Sequence, residues 1–379
     1  MKRAIYMDHA ATAPVDREVA EAMQPYMTEM YGNPSSIHQF GRQTRKAVDD
    51  AKETMASAIG AGYNELIFTS GGTEADNLAV FSAAYSCRDQ GKHLITTAIE
   101  HHAVLHAFNH LETQGFDVTY LKPDEYGIVS AKAVKEAITA ETTFVSVMYG
   151  NNETGMIQPV LDIAEMLNDR GILFHTDAVQ ALGTESFDLS ASPIDYAAFS
   201  AHKINGPKGI GLLYVKEGAP VMPMFHGGEQ EKKRRPGTEN VPAIVGFAAA
   251  VAKVSAEKET RKSRYAALKE DMLQRFSASA VHYVVNGDQD RSLPHILNIS
   301  FPGVNIEALL MNLDMDGLAV SSGSACTAGS VNPSHVLTAM TDDEAISHTG
   351  LRISFGLGNT NEDAAAAAEM IIRTVKRLQ

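Results

Sequence analysis

Cysteine is scarce. Cys87 and Cys326 are the only two in 379 residues, and two distant thiols make neither a disulfide framework nor a zinc cage. A reducing, cytoplasmic setting is expected. Basic charge is also short: 32 Lys and Arg against 46 Asp and Glu leave a net charge of −14, which disfavours direct binding to nucleic acid or to an anionic membrane. The run Glu231-Lys232-Lys233-Arg234-Arg235 is a local exception. It is expected to be a solvated loop, with a docking patch as the alternative. No apolar run reaches membrane-spanning length, and "VPAIVGFAAAVAKV" (241 to 254) reads as a buried helix. The opening "MKRAIYMDHAATAP" has too short an apolar stretch before Asp8 to act as a signal peptide. Internal repeats and low-complexity tracts are absent.

What is present is ordinary globular composition, 44% hydrophobic and 21% charged, in a chain long enough for two domains. From about residue 60 to 220, short apolar runs alternate with helical ones. "ELIFTS" (65 to 70) reads as a strand. "TEADNLAVFSAAYSCRDQ" (73 to 90) reads as a helix, with Leu78, Phe81 and Tyr85 on one face and an inert Cys87. "HLITTA", "TTFVSVMY", "ILFHTDA", "DYAAFSA" and "IGLLYV" are further strands. They lack strict alternation, as strands covered on both faces do. The prediction is an α/β layered sheet, mostly parallel. The last two strands flank a loop too tight for a helical crossover, so they are expected to be antiparallel. A helical stretch (about 241 to 280) without a charge-free face until Tyr265 and Leu268 is expected to link to a second domain. The final helix, "NEDAAAAAEMIIRTVKRL", puts acids first and bases last, favourable to its dipole.

In an open parallel sheet, ligands sit beyond the carboxyl ends of the strands, and four motifs fall there. In "TSGGTEADN" two glycines let the backbone approach a ligand, and a helix start offers free amides to an anion; a plain capped turn is the alternative. It is not a Walker loop, because no Gly-Lys-Ser/Thr follows. In "FHTDAVQALG", Asp177 ends an apolar strand, where a carboxylate is costly without a partner, and Gln180 follows by three; a helix-capping aspartate is the alternative. In "YGNNETG", Asn151 and Asn152 follow a strand, and a turn is the alternative. In "SAHKINGPKG", Ser200, His202 and Lys203 leave the next strand; a solvated surface lysine is the alternative. Together they suit a ligand with a phosphate, an electron-poor ring needing an anion, and an aldehyde needing an amine. Pyridoxal phosphate meets all three demands. "AIEHHAV" adds His101, which would stack on the ring or cap a helix.

The motifs "YMDHAATAPV", "GNPSSIHQFGR", "FTSGGTEADN", "EHHAV", "NNETG", "HTDAVQ", "SAHKINGPKG", "RPGTENV", "SSGSACTAG" and "LRISFG" cover nearly the whole chain in order. In them the sequence resembles the cysteine desulfurases of the NifS/IscS type, within the class V aminotransferase family of fold-type I pyridoxal phosphate enzymes. The resemblance implies a large, mostly parallel, seven-stranded sheet domain (16–255) and a smaller α+β domain (1–15 and 256–379). It implies that Lys203 carries the cofactor, Asp177 meets the pyridine nitrogen, and His101 stacks on the ring and shuttles protons. Gln180 and Asn152 would hydrogen-bond the cofactor, and Gly72, Thr73, Ser200 and His202 would bind its phosphate. Thr238 of "RPGT" would reach the phosphate of a neighbouring subunit, making the protein a homodimer.

"SSGSACTAGS" surrounds Cys326 with small residues. Such a segment buries little apolar area and offsets little ordering entropy, so a mobile loop is expected. A mobile thiol can collect a sulfur atom and carry it out, and in the resembled family this cysteine becomes a persulfide. Arg352, in an apolar run, needs an anionic partner. The resemblance favours the carboxylate of L-cysteine, with Asn33 assisting; a structural ion pair is the alternative. No resident metal is implied, only a transient iron–sulfur contact at Cys326. The sulfur acceptor would be a cluster-assembly scaffold, a tRNA-thiolating enzyme or a thiamin-pathway carrier. The chain ends soon after its final helix, where some longer relatives carry a scaffold-docking tail, which adds weight to a tRNA-modifying partner. Rival readings are another pyridoxal phosphate enzyme (a selenocysteine lyase, a kynureninase-like hydrolase or an aminotransferase), a nonenzymatic scaffold, and nucleotide binding by "GPKGIG".

Overall fold

The computed structural model describes residues 4–323 and 333–379. Its centre is a seven-stranded sheet made of β1 (Leu66–Thr69), β2 (His93–Thr97), β3 (Asp117–Leu121), β4 (Thr142–Ser146), β5 (Leu173–Asp177), β6 (Tyr196–Ser200) and β7 (Gly211–Val215). The spatial order is β1-β7-β6-β5-β4-β2-β3. β7 runs antiparallel to both neighbours, as the tight lysine loop demands, and every other pair is parallel. Every strand except β3 is buried almost throughout. β3 is the half-exposed edge, and its run "DVTYL" carries too little apolar signal to be read as a strand.

Helices cover both faces: α1 (Gln39–Ile59), α2 (Gly72–Ser86), α3 (His102–Thr113) and α4 (Val160–Asn168). α2 does not present one apolar face as its spacing suggests. It is enclosed on most sides, burying Ala75, Leu78, Ala79, Val80, Ala83 and Ala84, while Phe81 and Tyr85 are only partly covered. The helix ends at Ser86, so Cys87 caps it, buried, with burial pushing its thiol up.

α5 (Val241–Ser277) is one unbroken helix of 37 residues. Its first half does have an apolar face: Ile244, Phe247, Val251 and Val254 join the core against the large sheet. After a charged stretch its second half puts Tyr265, Leu268, Met272 and Phe276 into a separate core. At roughly 1.5–3 kcal/mol for each large side chain buried, both halves are held strongly. The second core lies against a small antiparallel sheet of β8 (Val284–Val285), β9 (Ile296–Ser300) and β10 (Gly350–Ser354), in the order β10-β9-β8. α6 (Ile306–Asp316) and α7 (Asn361–Leu378) pack on it. Ile5 and Met7 return to this core from the start of the chain. α7 opens with a Thr360/Asp363 capping box and ends with Lys376 and Arg377, as its charge order predicts.

Candidate functional site

At the carboxyl ends of the strands lies a cavity of about 280 Å3. Its walls bring together Gly72 and Thr73 at the start of α2, His101 before α3, Asn152, Asp177 at the end of β5, Gln180, Ser200 at the end of β6, His202, Lys203 and Arg352. Residues far apart in the chain thus meet: those up to Lys203 follow strands of the large sheet at one edge, and Arg352 comes from β10 of the small sheet. Asn33 and Thr238 are exposed and do not line it. Cys326 lies outside the described residues.

Lys203 ends a short turn (Ala201–Lys203) directly after β6. Its Nζ donates to the carbonyls of Ala10 and Ala11 at 2.5 and 2.8 Å. The chain then turns at Asn205 with φ of 66°, a left-handed conformation that asparagine tolerates better than most residues. Gln180 Nε2 donates to the same Ala10 carbonyl at 3.0 Å. Asp177 is buried and accepts the Val179 N–H at 2.9 Å. Burial pushes its carboxyl up to about 6, opposed by the Val179 N–H and by the charge of Lys203.

His101 caps α3, its Nδ1 accepting the Ala103 N–H at 3.1 Å. That bond leaves the ring proton of the neutral imidazole on Nε2. Burial first, then the Lys203 charge, lowers its pKa to about 4, so the neutral tautomer is the one present at neutral pH. His202 is lowered to about 4 for the same two reasons, and its Nδ1 contacts Thr12 Oγ1 at 3.2 Å.

Arg352 is the largest fully buried side chain among the described residues, 2% exposed. Its Nη2 donates to Asp8 Oδ1 at 2.9 Å and its Nη1 to the Asn152 carbonyl at 2.9 Å, while Nε has no hydrogen bond. The structural ion pair left open by the sequence is therefore present, with Asp8 as its acid. Asp8 sits inside the motif "YMDHAATAPV" and carries no local signal of this role. Asp76, also lining the cavity, was hidden likewise: its place in a helical pattern gives no sign that it is buried.

The basic run is less solvated than its composition suggests. Glu231 pairs with Lys52 at 2.6 Å, both side chains buried. Arg235 binds Glu74 at 2.8 and 3.2 Å, and Glu74 in turn accepts the Ser70 N–H at 2.7 Å. Arg235 thus braces the turn leading into α2. Of the five, only Lys232 and Lys233 are exposed.

The arrangement fits pyridoxal phosphate by three features. A Cβ on Gly72 would approach Val179 Cγ2 to 2.8 Å, so glycine there lets the first turn of a 15-residue helix keep its amides open to an anion without displacing Val179. Ser200 Oγ is buried beside it with no hydrogen-bond partner among the described residues. Asp177 and Lys203 supply the buried carboxylate and the amine within the same cavity.

An enzyme built on this cofactor is what fold and site define together. The comparisons agree: residues 5–366 match the aminotransferase class-V family. A Bacillus subtilis (strain 168) protein carrying a provisional cysteine desulfurase name, IscS 1, is 54% identical over 99% of both chains. The cysteine desulfurase IscS of Methanosarcina thermophila is 45% identical over 100% of this chain and 93% of its own. Among solved structures, a NifS-like protein superposes with a TM-score of 0.93 at 34% identity, over 99% of this chain and 100% of that one. SspA, solved in complex with cysteine, gives 0.82 at 36% identity over 93% and 98%. The chain belongs to the class-V aminotransferase family, with the NifS/IscS cysteine desulfurases as its relatives. Enzymes of this kind depend on pyridoxal phosphate.

Proposed function

We propose that this protein is a cysteine desulfurase that converts L-cysteine to L-alanine and passes the sulfur, held as a persulfide on Cys326, to an acceptor protein for iron–sulfur cluster assembly or tRNA thiolation. The observation that carries the reading is the meeting of Lys203, Asp177, His101, Gln180 and Arg352 in one cavity. When bound, pyridoxal phosphate supplies an aldehyde for an amine and a ring that draws electrons away from the substrate.

The chain's own residues do the rest. Lys203 holds the cofactor and, once released, moves a proton at the substrate Cα. Asp177 holds the proton of the ring nitrogen. Gly72, Thr73, Ser200 and His202 hold the phosphate, and Gln180 and Asn152 fix the ring. His101, with its proton on Nε2, enters the site as a donor. Arg352 exchanges Asp8 for the substrate carboxylate, a bidentate match. The thiolate of Cys326 takes the substrate sulfur: the Cβ–S bond breaks, an S–S bond forms, and the electron pair left on carbon is protonated to give the methyl group of alanine.

The same reading divides the chain into residues 16–255 and residues 1–15 with 256–379, in accord with the separate core of the second half. It makes the protein a cytoplasmic homodimer. The exposed Thr238 is free to reach a neighbouring subunit, and Met27, Tyr31, Phe40 and Ile37, the last 91% exposed, offer apolar area for it. Among the described residues no helix is long and apolar enough to cross a membrane.

Borohydride reduction followed by mass spectrometry tests the reading. A cofactor adduct should be fixed on Lys203 and vanish in Lys203→Ala. Cys326→Ser should bind cysteine and release no sulfide, and the native chain should yield alanine and sulfide in equal amounts. Normal turnover by the serine variant sinks the transfer scheme.

A further inference from the structure

Two buried acids line this cavity and a third, Glu100, is buried near them. Asp177 comes from β5, Asp76 from α2, and Glu100 from the turn before α3. Asp76 and Asp177 are close: one carboxylate oxygen of each, and a ring nitrogen of His101, lie within 4.8 Å of one another. Two carboxylates so close inside a protein disfavour each other's ionisation, and the less well-partnered one is pushed towards its protonated form. Asp177 is equipped to carry the charge, with the Val179 N–H on it and Lys203 near it.

Asp76 is not so equipped. Its Oδ1 is buried without a hydrogen bond among the described residues. His175 Nε2 stands 3.5 Å away, itself without one, while His175 Nδ1 meets Ser146 Oγ at 2.8 Å. Burial lowers His175 to about 3 and so keeps its ring uncharged. Burial, Asp177 and Glu100 all push the Asp76 carboxyl up. Glu100 has two donors on Oε1, Thr97 Oγ1 at 2.7 Å and the Met148 N–H at 2.9 Å, while its Oε2 is buried with no partner among the described residues. A metal ion does not suit the Asp76, His101 and Asp177 set, because the ring proton on His101 Nε2 leaves that nitrogen no lone pair.

We propose that Asp76 and Asp177 form a buried pair that holds a single proton, on Asp76, making Asp76 a positioning residue that sets the charge Asp177 presents to the cofactor's ring nitrogen. The proposal rests on Asp177 meeting that nitrogen. No group is oxidised or reduced; the pair of carboxyl groups holds one proton in place of two or none.

The test uses the full chain with its aspartate side chains 13C-labelled and the cofactor removed. Infrared spectra at pH 7 should show the isotope-shifted C=O stretch of an un-ionised carboxylic acid. The band should vanish in Asp76→Asn and persist in Glu100→Gln; the label separates aspartate from Glu100, which burial raises to about 8. Its absence from the native chain at pH 7 overturns the proposal without any variant, and its survival in Asp76→Asn overturns it too. With 15N-labelled cofactor bound, Asp76→Ala should raise the pH at which the ring nitrogen loses its proton by about one unit or more; no shift rules out the positioning role. The infrared arm needs no cofactor, so it fails separately from the desulfurase reading, whose failure is a missing adduct on Lys203.

Discussion

Arg352 and Asp177 are both buried charges lining one cavity, but the chain treats them differently. Arg352 already has its acid, Asp8, at 2.9 Å and a backbone carbonyl beside it. Asp177 has one N–H, a lysine, and a second acid, Asp76, as neighbour. A charge paired within its own chain is neutralised before any ligand arrives, and a ligand must displace the partner. A carboxylate held among other acids has an unmet demand, and the ligand that supplies positive charge is favoured by it. The anionic end of the substrate therefore meets an exchange, and the cationic ring of the cofactor meets a demand.

Breaking the first arrangement should have the largest effect. Asp8→Ala strands a buried guanidinium, a loss of roughly 3–5 kcal/mol, seen as a lower denaturant midpoint. If Asp8 only keeps the place of a carboxylate, L-alanine at high concentration should raise the melting temperature of Asp8→Ala more than that of the native chain. Equal shifts would mean that Arg352 is structural alone. Breaking the second should cost activity instead. Asp177→Asn keeps the shape and removes the charge, and kcat should fall on the order of 10²-fold, as when a single electrostatic stabiliser is lost from an active site.

The same substitution should make the cofactor-free chain more stable at neutral pH. Asp177 titrates near 6 in the fold, above its ordinary 3.8. Its contribution is present at low pH and lost as pH rises through about 6, because the folded state binds the extra proton. Removing it should therefore gain on the order of 3 kcal/mol at pH 8 over the native chain and little at pH 4. His101 has the opposite sign: lowered from 6.5 to about 4, it contributes above pH 6.5 and loses this as pH falls through 4. His101→Gln should flatten the acid side of the stability profile. Denaturant midpoints at pH 4, 6 and 8 separate the two.

The part of the site built from strand ends was readable in the sequence, because each strand's apolar run stops at the residue that faces the ligand: Asp177 after "LFHT", Ser200 after "YAAF". The antiparallel pair around Lys203 followed from loop length. What escaped reading was set by tertiary packing. Asp76 looks like any polar residue in a helix until α2 is enclosed on most sides. Asp8 is 344 residues from its arginine. Edge strand β3 lacks the burial that makes strands legible, and the basic run looks solvated until Lys52 and Glu74 are seen opposite it.

The smallest effect sharpens the comparison at the phosphate end. Gly72 has an ordinary helical start, so alanine there is not strained by backbone angle, and exchanging glycine for alanine in a helix favours folding by up to about 1 kcal/mol. The obstacle is local: the new Cβ meets Val179 Cγ2 at 2.8 Å, with Ser200 Cβ at 3.6 Å. Val179 must rotate or the turn must move away from Ser200 Oγ. Gly72→Ala should leave the melting temperature of the cofactor-free chain within a few degrees, while the cofactor Kd, read by fluorescence titration, rises about five-fold, or ~1 kcal/mol. Val179→Ala in the same chain removes the collision and should restore most of the affinity, a coupling that a double-mutant cycle isolates. A variant that binds the cofactor as tightly as the native chain, with Val179 intact, would show that the amides of this turn do not hold the phosphate.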